Sequence, residues 1–79
     1  MTTYVLLLED NKYYIGKTTQ LQHRLNKHFS GDGCRVTQRW KPIECLKTWK
    51  GDREREIYLI AKERYGAENV FGAGHTQSK

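Results

Sequence analysis

The sequence predicts a small α+β domain in which a three-stranded antiparallel sheet is flanked by helices, in the order β-β-α-β-α. Two observations support this class. Residues 4–8 and 13–17 have the composition of two strands joined by a short polar turn, which is typical of a hairpin. Two later segments place apolar residues at helical spacing, and a third strand-like segment separates them.

The hairpin determines which side chains share a face of the sheet. Residues 4–8 are apolar at odd and even positions, so both faces of this strand are expected to be covered. A three-residue loop over residues 9–11 pairs Tyr4 with Gly16 and puts Tyr4 and Tyr14 on one face, whereas a two-residue loop puts them on opposite faces. The longer loop needs a left-handed residue, which Asn11 tolerates. We therefore predict the three-residue loop with a positive φ at Asn11.

The first helix is predicted to follow a capping box in which Thr19 is the N-cap and Gln22 is the third helical residue. Gly31 is expected to end this helix. Its apolar stripe repeats every four residues, at Leu21, Leu25 and Phe29. Residues 35–41 are basic, and their pattern predicts neither a helix nor a strand.

The third strand is predicted over residues 43–49, opened by Pro42. Asp52 is expected to cap a second helix that runs to about Tyr65 and ends at Gly66. Its expected buried residues are Ile57, Ile60 and Ala61. We expect residues 1–79 to form a single domain, with residues 74–79 as a frayed tail.

The charge balance favours a polyanionic partner. The 79 residues include 14 Lys and Arg against 9 Asp and Glu, a net charge of +5, so nucleic acid is the first candidate and an anionic membrane surface the second. No apolar run approaches the roughly 20 residues that cross a bilayer, and the N-terminus does not resemble a secretion signal. The sequence thus predicts an intracellular protein that binds no membrane.

Five residues whose side chains could take part in catalysis occur at spacings that allow them to form one site. Tyr4 and Tyr14 lie on adjacent strands, Arg24 and His28 share a helix face because they are four residues apart, and Glu56 lies at the border of the second helix's apolar stripe. Two helices packed on one sheet can bring these five side chains together.

These residues resemble those of the GIY-YIG nuclease superfamily, in the form of a compact stand-alone domain. The resemblance rests on Tyr4, on Tyr14-Ile15-Gly16, on Arg24 and His28, on a helix bearing Glu56, and on a following segment bearing Asn69. Two departures are visible: Thr2-Thr3-Tyr4 replaces Gly-Ile-Tyr, and Phe71-Gly72-Ala73 replaces the Arg-Gly-Gly that often follows the asparagine.

The resemblance implies a metal-dependent endonuclease that hydrolyses phosphodiester bonds in DNA. Tyr4 would be the general base, Tyr14 would position the water or the phosphate, and Arg24 would clamp the scissile phosphate. His28 would bond a phosphate oxygen or assist proton transfer. Glu56 would hold one Mg²⁺, with Mn²⁺ as a possible substitute. The residues implied to bind substrate are Gly16, Lys17, Arg35, Arg39, Lys41 and Asn69.

Structural interpretations compete with each of these roles. The tyrosines are good strand residues, a helix arginine is usually solvated, and a histidine beside Leu25 and Phe29 can be a packed one. Glu56 can instead form a surface ion pair. Glu54 and Glu63 are its rivals as the metal ligand: Glu63 can reach the same helix face, and Glu54 is expected to be exposed. Trp40 can stack on a base or be tucked into the core.

A non-catalytic nucleic-acid-binding module that uses the same basic surface is the main alternative function. As a nuclease, a domain this small would have little surface to read bases, so specificity would need an accessory subunit. One active site cuts one strand, so a double-strand break would need a homodimer or two successive events.

Overall fold

The structure is a computed structural model that describes residues 1–72, so the predicted frayed tail lies outside the described residues. The strands are β1 (Thr2–Leu8), β2 (Lys12–Thr18), β3 (Pro42–Lys50) and β4 (Val70–Gly72). The helices are α1 (Leu21–Ser30), α2 (Arg35–Arg39) and α3 (Glu54–Tyr65), with 3-10 turns at Glu9–Asn11 and Ala67–Asn69. The α+β class predicted from the sequence is confirmed.

The sheet has four strands in the order β3-β1-β2-β4, with β1 antiparallel to both neighbours and β4 parallel to β2. The prediction of three antiparallel strands was therefore wrong in this respect. A strand of three residues is too short to show an alternating pattern, and its partner β2 is far away in the sequence. The parallel pairing needs a long crossover, which the chain between β2 and β4 supplies.

The β1–β2 turn has the predicted length. Leu8 pairs with Lys12 and Tyr4 pairs with Gly16 across it. Asn11 has the predicted positive φ, 58°, and Asp10 has one of 60°, so two consecutive residues of the turn are left-handed. Asn and Asp adopt this conformation at the lowest cost among residues with side chains.

Two apolar clusters cover the two faces of the sheet, as the composition of β1 predicted. The cluster packed against α1 and α2 contains Tyr4, Leu6, Leu8, Tyr14 and Val36. The cluster on the face that α3 covers contains Val5, Ile15, Ile57, Ala61 and Val70. Because alternate strand residues point to opposite faces, β1 contributes to both.

The predicted helix ends are confirmed and the predicted helix starts are not. Gly31 and Gly66 end α1 and α3, both with positive φ. Gln20, not Thr19, is the N-cap of α1, and the Gln20 N–H donates to the Thr18 hydroxyl at 3.0 Å. The local bond to Thr18 therefore replaces the predicted capping box.

The start of α3 differs in a similar way. Arg53 is its N-cap residue, and Asp52 forms an ion pair with Lys17 at 2.9 Å. The side chain of Asp52 thus lies between the end of β2 and the start of α3, because it also accepts a hydrogen bond from the Glu54 N–H.

The predicted apolar stripes are wrong at two positions. Phe29 is 47% exposed and Ile60 is 53% exposed. In α1 the fully buried residue is His28, which follows Leu25 by three residues and so continues the stripe at helical spacing. None of the helices among residues 1–72 is long and apolar enough to cross a membrane.

Candidate active site

The two tyrosines of the hairpin lie side by side on the face that α1 and α2 cover. Tyr4 and Tyr14 are both buried, and their ring centroids are 6.3 Å apart. Their common face follows from the three-residue turn, because a shift of one residue would send one ring to the other side of the sheet.

Gly16 makes room for the Tyr4 ring. A Cβ atom at this position would lie 2.4 Å from the Tyr4 hydroxyl oxygen and 2.5 Å from Cζ. Since β4 pairs only with residues 13–15 of β2, no strand within residues 1–72 pairs with Gly16 on that side. The phenol oxygen therefore lies against an unpaired stretch of strand edge, where backbone without a side chain leaves space.

His28 brings the middle of α1 into contact with both rings. Its ring centroid is 5.8 Å from that of Tyr4 and 5.3 Å from that of Tyr14. The Tyr4 hydroxyl and His28 Nε2 form a buried hydrogen bond of 2.9 Å. On its other side, His28 Nδ1 lies 3.1 Å from the Thr37 hydroxyl of α2. The histidine is packed and hydrogen-bonded at once.

Burial and the charge of Arg24 determine the protonation of these groups. Burial raises the pKa of Tyr4 well above its ordinary value, and the nearby Arg24 guanidinium opposes this only in part. Burial likewise raises the pKa of Tyr14. Burial and Arg24 lower the pKa of His28 to about 4. At pH 7 both phenols are therefore protonated and the imidazole is neutral.

Glu54, the first residue of α3, is the buried acid of this region. It is 8% exposed, and its Oε2 atom has no hydrogen-bond partner. Its Oε1 atom lies 3.9 Å from Lys17 Nζ, and its charge contributes to the raised pKa of Tyr4 and Tyr14. The expectation that Glu54 is exposed was wrong.

Thr3 explains the burial of Glu54. The Thr3 hydroxyl donates to the Gly51 carbonyl at 2.8 Å and accepts the Arg53 N–H at 2.8 Å. These two bonds tie the turn before α3 to β1, next to Tyr4. The first turn of α3 consequently begins beside the sheet, and Glu54 is directed inward rather than to solvent.

The sequence matches a known protein family over most of its length. The family model of the GIY-YIG catalytic domain matches residues 1–69. The chain belongs to the GIY-YIG family. The predicted resemblance is thereby confirmed, and the family is of nuclease type.

The relatives of this GIY-YIG chain are proteins of a group named UPF0213. One from Natronomonas pharaonis is 32% identical, over 85% of this chain and 91% of the relative. One from Streptococcus agalactiae is 32% identical over 96% of this chain and 78% of the relative. One from Halalkalibacterium halodurans is 39% identical, but the match covers 62% of this chain and only 54% of the relative. No solved structure matches significantly.

The chain spans about half of the length of the first two relatives that it matches, each at 54%.

Glu56 lies apart from the contacts described above. Its carboxylate forms an ion pair with the Arg53 guanidinium at 2.9 Å, and its side chain is 56% exposed. Arg53 also lowers the pKa of Glu56. Successive helix residues point about 100° apart, so Glu54 and Glu56 point to widely different sides of the first turn. The surface ion pair considered for Glu56 is confirmed.

The residues predicted to contact substrate fall into two groups. Lys17 lies beside Glu54 and is paired with Asp52. The other cations, Arg35, Arg39 and Lys41, are exposed on or just after α2. The Arg39 Cζ atom lies over the Trp40 ring, 4.9 Å from its centroid. The Trp40 ring stacks on the Phe71 ring with 5.3 Å between the centroids, and Trp40 packs against the core cluster that contains Tyr4.

Asn69 braces the end of α3. Its side-chain amide donates to the Tyr65 carbonyl at 2.9 Å, and its oxygen accepts from Lys12 Nζ at 2.8 Å. Both partners are structural groups, so the described contacts of Asn69 support the fold around β4.

Sequence reasoning missed Thr3 and Thr37, and it named Glu54 only as an exposed rival of Glu56. The signal for Glu54 was weak but present: Glu54 and Ile57 are three residues apart, and Ile57 was correctly predicted to be buried. The local sequence around the two threonines gives no signal, because each hydrogen-bonds to a residue of a different part of the fold.

Proposed function

We propose that this domain is a metal-dependent endonuclease that hydrolyses phosphodiester bonds in DNA. The observation that carries the proposal is one group of residues: a phenol hydrogen-bonded to a neutral imidazole, an arginine whose charge acts on both, and a buried carboxylate that has an oxygen without a partner and acts on the phenol through its charge. Phosphodiester hydrolysis needs an acceptor for a proton, a cation for the phosphate and a ligand for a metal ion.

Glu54 fits the metal better than Glu56 does. A carboxyl oxygen buried without a partner is costly, and a bound cation would remove that cost. Mg²⁺ prefers hard oxygen ligands and retains several waters, so one carboxylate together with a substrate phosphate suffices. Within residues 1–72 no three or more His, Cys, Asp or Glu side chains form a group that could hold a metal ion, so the proposal relies on a single carboxylate. Mn²⁺ suits the same ligand.

When bound, Mg²⁺ would polarise the phosphate and make a water molecule more acidic. The residues of the chain supply the remaining steps. Arg24 offers a planar fork of donors to the phosphate oxygens and stays charged throughout. Tyr14 orients the attacking water or the phosphate. Lys17, released from Asp52, adds positive charge beside Glu54.

The raised pKa of Tyr4 defines how it works as a base. A protonated phenol cannot take a proton without giving one up. Tyr4 therefore accepts the proton of water while its own proton passes to the neutral His28 Nε2, 2.9 Å away. A negatively charged phosphate at the site would increase the basicity of the imidazole and so favour this transfer.

DNA is the substrate that the charge distribution favours. The net charge is +5, and the exposed cations Arg35, Arg39 and Lys41 can follow a phosphate backbone from the active site. A single site of this kind cuts one strand, so a break in both strands calls for a homodimer or two events, and specificity calls for an accessory subunit.

A matched pair of variants tests the proposal on supercoiled plasmid with Mg²⁺, Mn²⁺ or EDTA. We expect the wild type to nick the plasmid with either metal and not with EDTA. Glu54→Gln should lower the rate by about 100-fold or more, because the metal ligand is lost. Glu56→Gln should stay within about twofold, because it removes only an exposed ion pair. The opposite ranking would return the metal to Glu56.

The binding-module alternative makes a different prediction in the same assay. It requires that the wild type never nicks the plasmid with any metal, while its affinity for DNA falls steeply as salt increases. Arg24→Ala would then weaken binding without any change in cleavage, and the endonuclease proposal would be refuted.

A further inference from the structure

A buried hydrogen-bond chain continues beyond the tyrosine and the histidine. Tyr4 bonds to His28 Nε2 at 2.9 Å, His28 Nδ1 contacts the Thr37 hydroxyl at 3.1 Å, and that hydroxyl donates to the Cys34 carbonyl at 3.1 Å. Tyr4, His28 and Thr37 are each 1% exposed. These bonds are therefore shielded from bulk solvent in the folded protein.

The last bond of the chain favours one direction for the others. The Cys34 carbonyl can only accept, so when the single proton of the Thr37 hydroxyl is donated to it, Thr37 accepts from His28; Cys34 Sγ, 3.8 Å from the same hydroxyl, is a further neighbour. The imidazole then carries its proton on Nδ1. A neutral imidazole has only one N–H, so Nε2 is left with its lone pair facing the Tyr4 hydroxyl. All the donors and acceptors are satisfied in this direction.

We propose that Thr37 is a positioning residue that holds His28 in the Nδ1–H tautomer, so that Nε2 receives the Tyr4 proton during catalysis. This inference rests on the proposed nuclease function. Thr37 touches neither the substrate nor Tyr4 in this role; it acts through His28. In the opposite tautomer Nε2 would carry the proton, and Tyr4 would have no acceptor for its own.

The proton balance of the step is complete. Water gives its proton to the Tyr4 oxygen, and Tyr4 gives its original proton to His28 Nε2, which becomes imidazolium. The electron pair of the broken water O–H bond forms the new P–O bond. The leaving sugar oxygen takes the electron pair of the P–O bond that breaks and is protonated by solvent. The His28 imidazolium, whose pKa is lowered to about 4, then returns a proton to solvent, so Tyr4 and His28 are restored.

Gly33 is the residue that permits the contact between α1 and α2. A Cβ atom at position 33 would lie 2.4 Å from His28 Nδ1 and 2.6 Å from the Thr37 hydroxyl oxygen. The two groups can approach to 3.1 Å only because this position has no side chain. The glycine thus places the first turn of α2 against the imidazole.

The tautomer can be read directly, without any activity, from the ¹⁵N chemical shifts and long-range ¹H–¹⁵N couplings of His28 at pH 7. We expect a protonated Nδ1 and an unprotonated Nε2 in the wild type. Thr37→Ser, which keeps the hydroxyl, should retain this pattern. Thr37→Val has a similar shape but cannot accept a hydrogen bond, so it should shift His28 toward the Nε2–H form.

Nicking kinetics then connect the tautomer to the reaction. Thr37→Val should lower kcat by about 100-fold with little change in KM, whereas Thr37→Ser should stay within about threefold. A protonated Nε2 in the wild type would overturn the proposal, even if Thr37→Val did not fold. So would a folded Thr37→Val protein with an unchanged tautomer and rate. A wild type that has the Nδ1–H tautomer but never nicks DNA would refute the nuclease function and, with it, the catalytic role of Thr37.

Discussion

Mild acid is expected to destabilise this fold through His28. Burial and Arg24 lower its pKa from the ordinary 6.5 to about 4 in the folded protein. Because the unfolded chain binds the proton more readily, the unfolded state gains protons first as the pH falls below 6.5. The free energy of unfolding should therefore decrease from pH 6.5 downward, and the full loss is reached once the pH is below about 4.

The size of the effect follows from the two pKa values. The interval from 6.5 to about 4, at about 1.4 kcal/mol per pH unit, corresponds to about 3 kcal/mol in total, of which about 2 kcal/mol is lost by pH 5. Native domains have free energies of unfolding of roughly 5–15 kcal/mol, so the loss expected here is a large fraction of the stability of a small domain. The pKa values of Asp52 and Glu56 are lowered in the folded protein, so the loss of their ion pairs is expected at a lower pH than the protonation of the unfolded-state histidine.

Urea unfolding followed by circular dichroism at pH 7, 6 and 5 measures the loss, and NMR titration of the His28 ring protons measures its pKa in the folded state. A His28→Gln protein, if folded, should lose the slope between pH 7 and 5. The reasoning is refuted if His28 titrates near 6.5, or if the wild-type free energy of unfolding is the same at pH 7 and pH 5.

Three further predictions concern Gly16 of β2 and the start of α3. Gly16→Ala should lower the free energy of unfolding by about 1–3 kcal/mol, measured by urea titration, because the new methyl group collides with the Tyr4 ring. Glu54→Gln should raise it by about 1 kcal/mol while nicking is lost, since a buried amide costs less than a buried unpaired carboxylate oxygen; a destabilised variant would contradict this. Asp52→Asn should leave the melting temperature unchanged within error, because its bond to Lys17 is exposed to solvent.

The local features of the fold were predictable because they depend on neighbouring residues. The hairpin register follows from a turn of three residues in which Asn11 can be left-handed, and the helix ends follow from Gly31 and Gly66. The starts of α1 and α3 were not predictable in the same way. Several nearby polar side chains compete for the free N–H groups there, and the outcome depends on Thr18 and on the distant Lys17.

The candidate site also has a part that could be predicted from local patterns and a part that could not. Tyr4, Tyr14, Arg24 and His28 could be grouped from strand register and helix spacing, and the structure brings them into contact or electrostatic reach of each other. The choice between Glu54 and Glu56 could not be made from helix periodicity, since both lie in the first turn of α3.

The sequence by itself determined the family, the hairpin and the face on which the two tyrosines lie, because these depend on residue identities and spacings along one or two elements. Only the tertiary structure decided which acid is buried and which hydroxyl orients the histidine. Thr3 reaches across 50 residues to the start of α3, and Thr37 reaches His28 across the gap that Gly33 leaves. Such contacts depend on where separate elements meet, and no local pattern of residues encodes that meeting point.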